Sequence, residues 1–228
     1  VYSGAGRFYV IGDLVKQGGK YVFKADTNAI QWYNWDQNSE LYATQSFSNT
    51  PDGRMILLSW HSESTAEALK HYDKNWNGTF SMPTEAKLIT VNGEVRMVTT
   101  PVVEMNDLRG DLLYSGSNVT VTPTTKNILD GVMGTIYDIE AEFELGNATE
   151  FGFKLRVGDG SCTTVKYSLA TKMLTVDKTV SDVLPAGIKS MKVEPLANNR
   201  IKLRIIVDTS IIDVFANDGL ASFNTLHF

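Results

Sequence analysis

Six aromatic residues, Trp32, Tyr33, Trp35, Tyr42, Phe47 and Trp60, fall within 29 residues, and four acids, Asp36, Glu40, Asp52 and Glu63, lie among or just after them. These residue types suit the cleavage of a glycosidic bond. That reaction uses two carboxyl groups, one to protonate the leaving oxygen and one to attack or to activate water. Flat rings give a sugar surfaces to stack on, although filling a core is their default role. The acids also have plainer readings. Pro51-Asp52-Gly53 is turn chemistry, Asp36 and Glu63 fall in polar loops, and Glu40 opens a strand.

Other chemistries lack their residues. His61, His71 and His227 are scattered, with no HExxH and no cysteine pair, so the sequence calls for no metal. There is no GxSxG, and Cys162, the sole cysteine, reads as a small buried hydrophobe. Gly4-Ala5-Gly6 lacks the strand, helix and acid of a dinucleotide loop, so no cofactor is expected. Arg109-Gly110-Asp111 spells an adhesion tripeptide but reads equally as a turn in a connector. A net charge of -5 argues against general attraction to nucleic acid or to an anionic membrane. No apolar run reaches the ~18 residues a membrane helix needs. The first residue is Val1, with no basic-then-apolar leader, which reads as a processed or partial chain. Sequons at Asn77, Asn118 and Asn147 hint at secretion.

The elements that must hold these residues are strands. Apolar residues alternate at Tyr137, Ile139, Ala141, Phe143 and Leu145, with Asp138, Glu140, Glu142 and Glu144 between them. Phe151, Phe153, Leu155 and Val157 repeat the pattern. Gly146 to Glu150 is short enough for a hairpin loop, which would set Lys154 and Arg156 across from the acidic row. KLITVNGEVRMV reads as a hairpin, because Asn92-Gly93 suits a type I′ turn. Ile201 to Val207 and Ile211 to Phe215 read as strands joined by Asp208-Thr209-Ser210, with Asn217-Asp218-Gly219 closing the run. The best helical pattern, Ser64 to Tyr72, is short. The texture changes near residue 106, which suggests two all-β units, 1–106 and 117–228, linked by 107–116.

Five segments, in order, resemble glycoside hydrolase family 32, the family of invertases, inulinases and levanases. DQNSELYATQSFSNTPDGRMILLSW is similar to DxGxDFYAxQSF…GRRIxxGW, NWNGTFSMPTEAKL to WxGxxSLPREL, and TPVVEMNDLR to PVxELxxLR. EFGFKLRVGDG and KLRIIVDTSIIDVFANDG are similar to the family's sandwich strands. The resemblance implies the late blades of a five-bladed β-propeller over 1–106, followed by a two-sheet β-sandwich over 117–228. It implies retaining hydrolysis of terminal β-fructofuranosyl linkages in sucrose or fructans. It also implies that Trp60 and Glu63, in SWHSES, contact the sugar, while Tyr42 and Phe47 belong to the core.

The family's WMNDPNG nucleophile motif, RDP motif and acid/base glutamate motif have no counterpart here. Met105-Asn106-Asp107 lacks the PNG. No catalytic residue is therefore assigned, and the chain by itself is expected to be inactive. About two blades cannot close a propeller, so open strand edges are expected to meet a segment carrying the other blades, or a second copy. The alternative is a non-catalytic β module that binds carbohydrate through its rings or a partner through its edges.

Overall fold

The computed structural model describes residues 2–3, 8–26, 31–32, 41–61, 78–181 and 187–226. The first-half strands are β1 (Tyr2–Ser3), β2 (Phe8–Tyr9), β3 (Gly12–Gln17), β4 (Lys20–Ala25), β5 (Gln31–Trp32), β6 (Leu41–Ser46), β7 (Met55–His61), β8 (Thr79–Phe80), β9 (Thr84–Val91) and β10 (Glu94–Pro101). A 3-10 turn, Val103–Leu108, and a long connector follow. The second-half strands are β11 (Tyr137–Glu144), β12 (Glu150–Leu155), β13 (Thr163–Ser168), β14 (Met173–Asp177), β15 (Ile188–Lys192), β16 (Arg200–Val207), β17 (Ile211–Ala216) and β18 (Ala221–Leu226). Among the described residues, no helix is long and apolar enough to cross a membrane.

The strands form antiparallel sheets ordered β1-β2-β5, β3-β4, β10-β9-β7-β6 with β8 on β7, β11-β16-β17-β18, and β12-β13-β14-β15. Among the described residues none of the sheets closes on itself. The Asn92-Gly93 turn joins β9 to β10 as its sequence requires. Its φ angles are +52° and +81°, the left-handed pair that a type I′ turn needs.

The two second-half sheets share one core. Val165, Tyr167, Leu174 and Val176 from one meet Ile201, Ile205, Val207, Ile212 and Val214 from the other, all fully buried. Each such side chain contributes about 1.5–3 kcal/mol of burial. Strict alternation along β16 supplies this core from one face and leaves Arg200, Lys202 and Arg204 on the other.

Three sequence expectations change. First, Gly146 to Glu150 is a crossover between sheets, because β11 pairs with β16 while β12 pairs with β13. Second, the bases facing the acidic row therefore come from β16. Glu140 sits across from Arg204, Glu142 from Lys202 and Glu144 from Arg200. Arg156 instead donates to the carbonyls of Thr135 and Asp208, at 3.1 and 3.3 Å. Loop length alone cannot tell a hairpin from a sheet change when both strands alternate. Third, Tyr42 and Phe47 are not core residues: they are 48% and 55% exposed. Cys162 is half-buried, just before β13.

The halves meet along a seam. Thr99 of β10 donates its N–H to the Gly219 carbonyl at 3.1 Å, and its hydroxyl lies 3.4 Å from that of Ser222 on β18. Gly219 has φ +85°, and a β-carbon there would overlap the Thr99 carbonyl, so this turn position admits only glycine without a shift. Beside the seam, Arg204 binds Asp138 at 2.8 Å and Asn106 at 3.0 Å. Arg109 binds Asp138 and Glu140, which gives the Arg-Gly-Asp arginine a bracing role in the connector.

Candidate functional site

β6, β7 and β8 align three rings. Tyr42 is the register partner of Trp60, and Trp60 is the partner of Phe80. Residues directly opposite in antiparallel strands project from the same face. The Tyr42 and Trp60 rings meet edge to face, with centroids 6.2 Å apart and planes at 67°. All three are exposed, at 48%, 41% and 71% for Tyr42, Trp60 and Phe80.

A bulge in β6 sets up this row. Tyr42 pairs with Trp60 and Gln45 with Leu58, so three residue steps on β6 oppose two on β7. Ala43 absorbs the extra residue at φ +50°. Without the bulge, Tyr42 and Gln45 would point to opposite faces. With it, Gln45 lies on the ring face, opposite Leu58, and Thr44 turns inward to lie 2.7 Å from the Ser59 hydroxyl. Ser59 N–H donates to Ser81 Oγ at 3.0 Å, and Ser81 N–H to the Ser59 carbonyl at 2.8 Å. Buried polar pairing thus fixes the back of the row while its front stays open. Gly78, at φ +77°, lies against the indole, where a β-carbon would overlap the ring.

Two described acids, Asp52 and Glu104, are poor proton donors, and both gather on Arg54 at the turn end of the β6–β7 hairpin, away from the rings. Asp52 is held below the usual carboxylate range by the backbone N–H and guanidinium of Arg54. Glu104 is likewise held low, chiefly by hydrogen bonds from the same guanidinium, at 2.5 and 3.0 Å. Both stay ionised near neutrality, and Arg54 ties the Pro51-Asp52-Gly53 turn to the 3-10 turn. Asp36, Glu40, Glu63 and the segment Ser64 to Tyr72 lie outside the described residues.

One acid behaves differently. Asp213 in β17 is fully buried, and burial pushes it up to about 7 against the opposing hydrogen bond from Asn224. It faces the seam, not the aromatic row. Its sequence signal was a charge within IIDVFA, where Ile211 and Phe215 share its face and are themselves buried. The exposed Phe80 was missed because its own strand has only two residues.

What the site can do follows from its composition. Three open rings and a side-chain amide offer stacking surface plus hydrogen bonding, the combination a saccharide uses. Among the described residues, Asp52 and Glu104 form no free donor and nucleophile pair, since both are tied to Arg54 at the far end of the hairpin from the rings.

Two family models match the chain. Residues 2–101 match "Glycosyl hydrolases family 32 N-terminal domain" and residues 104–228 match "Glycosyl hydrolases family 32 C terminal". A levanase of Bacillus sp. (strain L7) is 36% identical over 99% of this chain and 25% of its own length. A levanase of Bacillus subtilis (strain 168) is 34% identical over 96% of this chain and 33% of its own length. The chain thus spans a quarter to a third of these relatives. Among solved structures, an exo-inulinase from Aspergillus awamori superposes with TM-score 0.74 at 19% identity, over 100% of this chain and 46% of that one. Fructan 1-exohydrolase IIa from Cichorium intybus gives TM-score 0.69 at 17% identity, over 100% of this chain and 52% of that one. These superpositions support the all-β fold.

Proposed function

Because the chain belongs to glycosyl hydrolase family 32, we propose that it is the late-propeller and sandwich portion of a retaining β-fructofuranosidase-type enzyme acting on sucrose or fructans. In this reading 1–106 supplies about two blades, 107–116 the connector, and 117–228 the two-sheet sandwich. Trp60 and Glu63 contact the sugar, with Tyr42 and Phe80 extending the Trp60 surface. The observation that carries the reading is the open Tyr42–Trp60–Phe80 row, built by a bulge and braced from behind.

The acids of catalysis come from elsewhere in this account. A retaining mechanism needs two carboxyl groups about 5–5.5 Å apart around one sugar. The catalytic motifs of the family are not in these 228 residues. The chain by itself therefore binds without cleaving. Secretion fits the exposed sequon asparagines Asn118 and Asn147.

Calorimetric titration with levan- and inulin-derived oligosaccharides tests the reading. The chain binds them, and Trp60→Ala weakens binding about tenfold or more, the loss of one stacked ring worth ~1–2 kcal/mol. Equal binding by the variant, or none by the parent, would count against it.

A second surface favours a protein partner. Leu108, Leu112 and Met133 are 76%, 81% and 86% exposed in the stretch between β10 and β11. In this reading these side chains join one apolar patch that a partner covers. The occupant in this reading is the polypeptide carrying the remaining blades, with self-association through open blade edges as the competing occupant. Light scattering with and without such a segment separates the two.

A further inference from the structure

Only one face of β17 belongs to the shared core. Its other face, Ile211, Asp213 and Phe215, is nevertheless no more than 6% exposed. The first-half sheet covers it. A small cavity in the seam has Leu57, Ser59 and Thr99 on one wall and Phe215, Ser222 and Asn224 on the other. Asp213 is held here by the Nδ2 amide of Asn224, its register partner on β18.

The charged groups around Asp213 do not neutralise it. On β16, Ile206 lies directly opposite, while Arg204 and Lys202 are engaged by Asp138 and by Asp218. On β11 the same outward face carries Asp138 and Glu140, bound to Arg109. Asp208, at the end of β16, is a like charge and raises Asp213 further. From the first half, β7 presents His61 on the face of Leu57 and Ser59, β6 presents Thr44, and β10 presents Thr99. Among the described residues no ion pair includes Asp213.

We infer that Asp213 makes the seam between the halves responsive to pH, closed while the carboxyl is protonated and loosened once it ionises. The direction follows from linkage. Asp213 titrates near 7 in the closed seam and near its ordinary 3.8 once exposed. Opening therefore releases a proton between these values and gains about tenfold per pH unit across that window. Above about 7 both forms are ionised and the dependence levels off. The seam is tightest in acid and loosest above neutrality.

The Thr99 amide reports the seam, since its N–H donates to Gly219 across it. Hydrogen exchange of this amide, corrected for the intrinsic rate, is measured from pH 5 to 8.5 on the 228-residue chain. Its protection falls about tenfold per pH unit up to about 7 and then flattens, and Asp213→Asn removes the slope. A flat profile in the parent, or an unchanged slope in the variant, overturns the inference. Should Asp213→Asn not fold, a carboxyl-carbon NMR titration of the parent decides instead. A midpoint near 7 supports the inference, and one in the ordinary carboxylate range overturns it.

Discussion

Replacing Gly219 by alanine should hurt this protein more than the same change at Gly93, and the difference measures the seam. The two glycines sit in hairpin turns at nearly equal backbone angles, φ +85° and +81°. An alanine at either pays the left-handed penalty of roughly 1–2 kcal/mol. At Gly93 nothing lies within 4 Å of the added carbon. At Gly219 the carbon overlaps the Thr99 carbonyl and comes within 2.9 Å of the Thr100 methyl. Relief requires β10 and the turn to part, which loses the Thr99 to Gly219 hydrogen bond, worth about 1 kcal/mol, and exposes neighbouring seam contacts. Gly219→Ala should therefore cost about 1–3 kcal/mol more than Gly93→Ala. In a chain of this size each kcal/mol lowers Tm by about 2–4 °C. Thermal unfolding of the two variants should differ by several degrees, with Gly219→Ala lower. Equal shifts would show that the Thr99 contact carries no stability, and the seam described above would lose its main support.

Further outcomes follow from other contacts. Arg204→Met should cost about 2 kcal/mol in urea unfolding, because it strips Asp138 and Asn106 of a partly buried charged donor. The matched change Arg200→Met, at the exposed pairs with Glu142 and Glu144, should cost less than about 1 kcal/mol. Ala43→Gly should leave stability unchanged or raise it by up to about 1 kcal/mol, the reverse of the usual strand effect, because Ala43 holds φ +50° in the bulge. A clear loss there would mean the bulge is not strained. Limited proteolysis should nick 8–101 before 137–226, since the second half owns the shared core. The opposite order would contradict the stability assigned to that core.

Much of the second half was legible because period-two alternation maps onto faces. Ile201, Leu203, Ile205 and Val207 face the core as the pattern requires. The Asn92-Gly93 turn was legible for a different reason, since its chemistry is local to two residues. Pairing was not legible. Nothing in the spacing of Phe143 and Phe151 says that their strands lie in opposite sheets, with rings 4.3 Å apart across the core. The site was half legible. Trp60 stood out as a ring at a strand end. The exposure of Tyr42 depends on a bulge at Ala43, and no residue type announces a left-handed alanine. Asp213 and Gly219 were visible only as an odd charge and a turn glycine, because what makes each unusual is contributed by the other half of the chain.

The central claim is that these 228 residues present a sugar surface while the cleaving acids reside elsewhere. Fructose release from sucrose, inulin and levan by the purified chain tests it most directly. The account predicts no release above the uncatalysed background. Turnover that persists through purification and disappears in Trp60→Ala would contradict it, because the chain would then hold its own pair of catalytic acids.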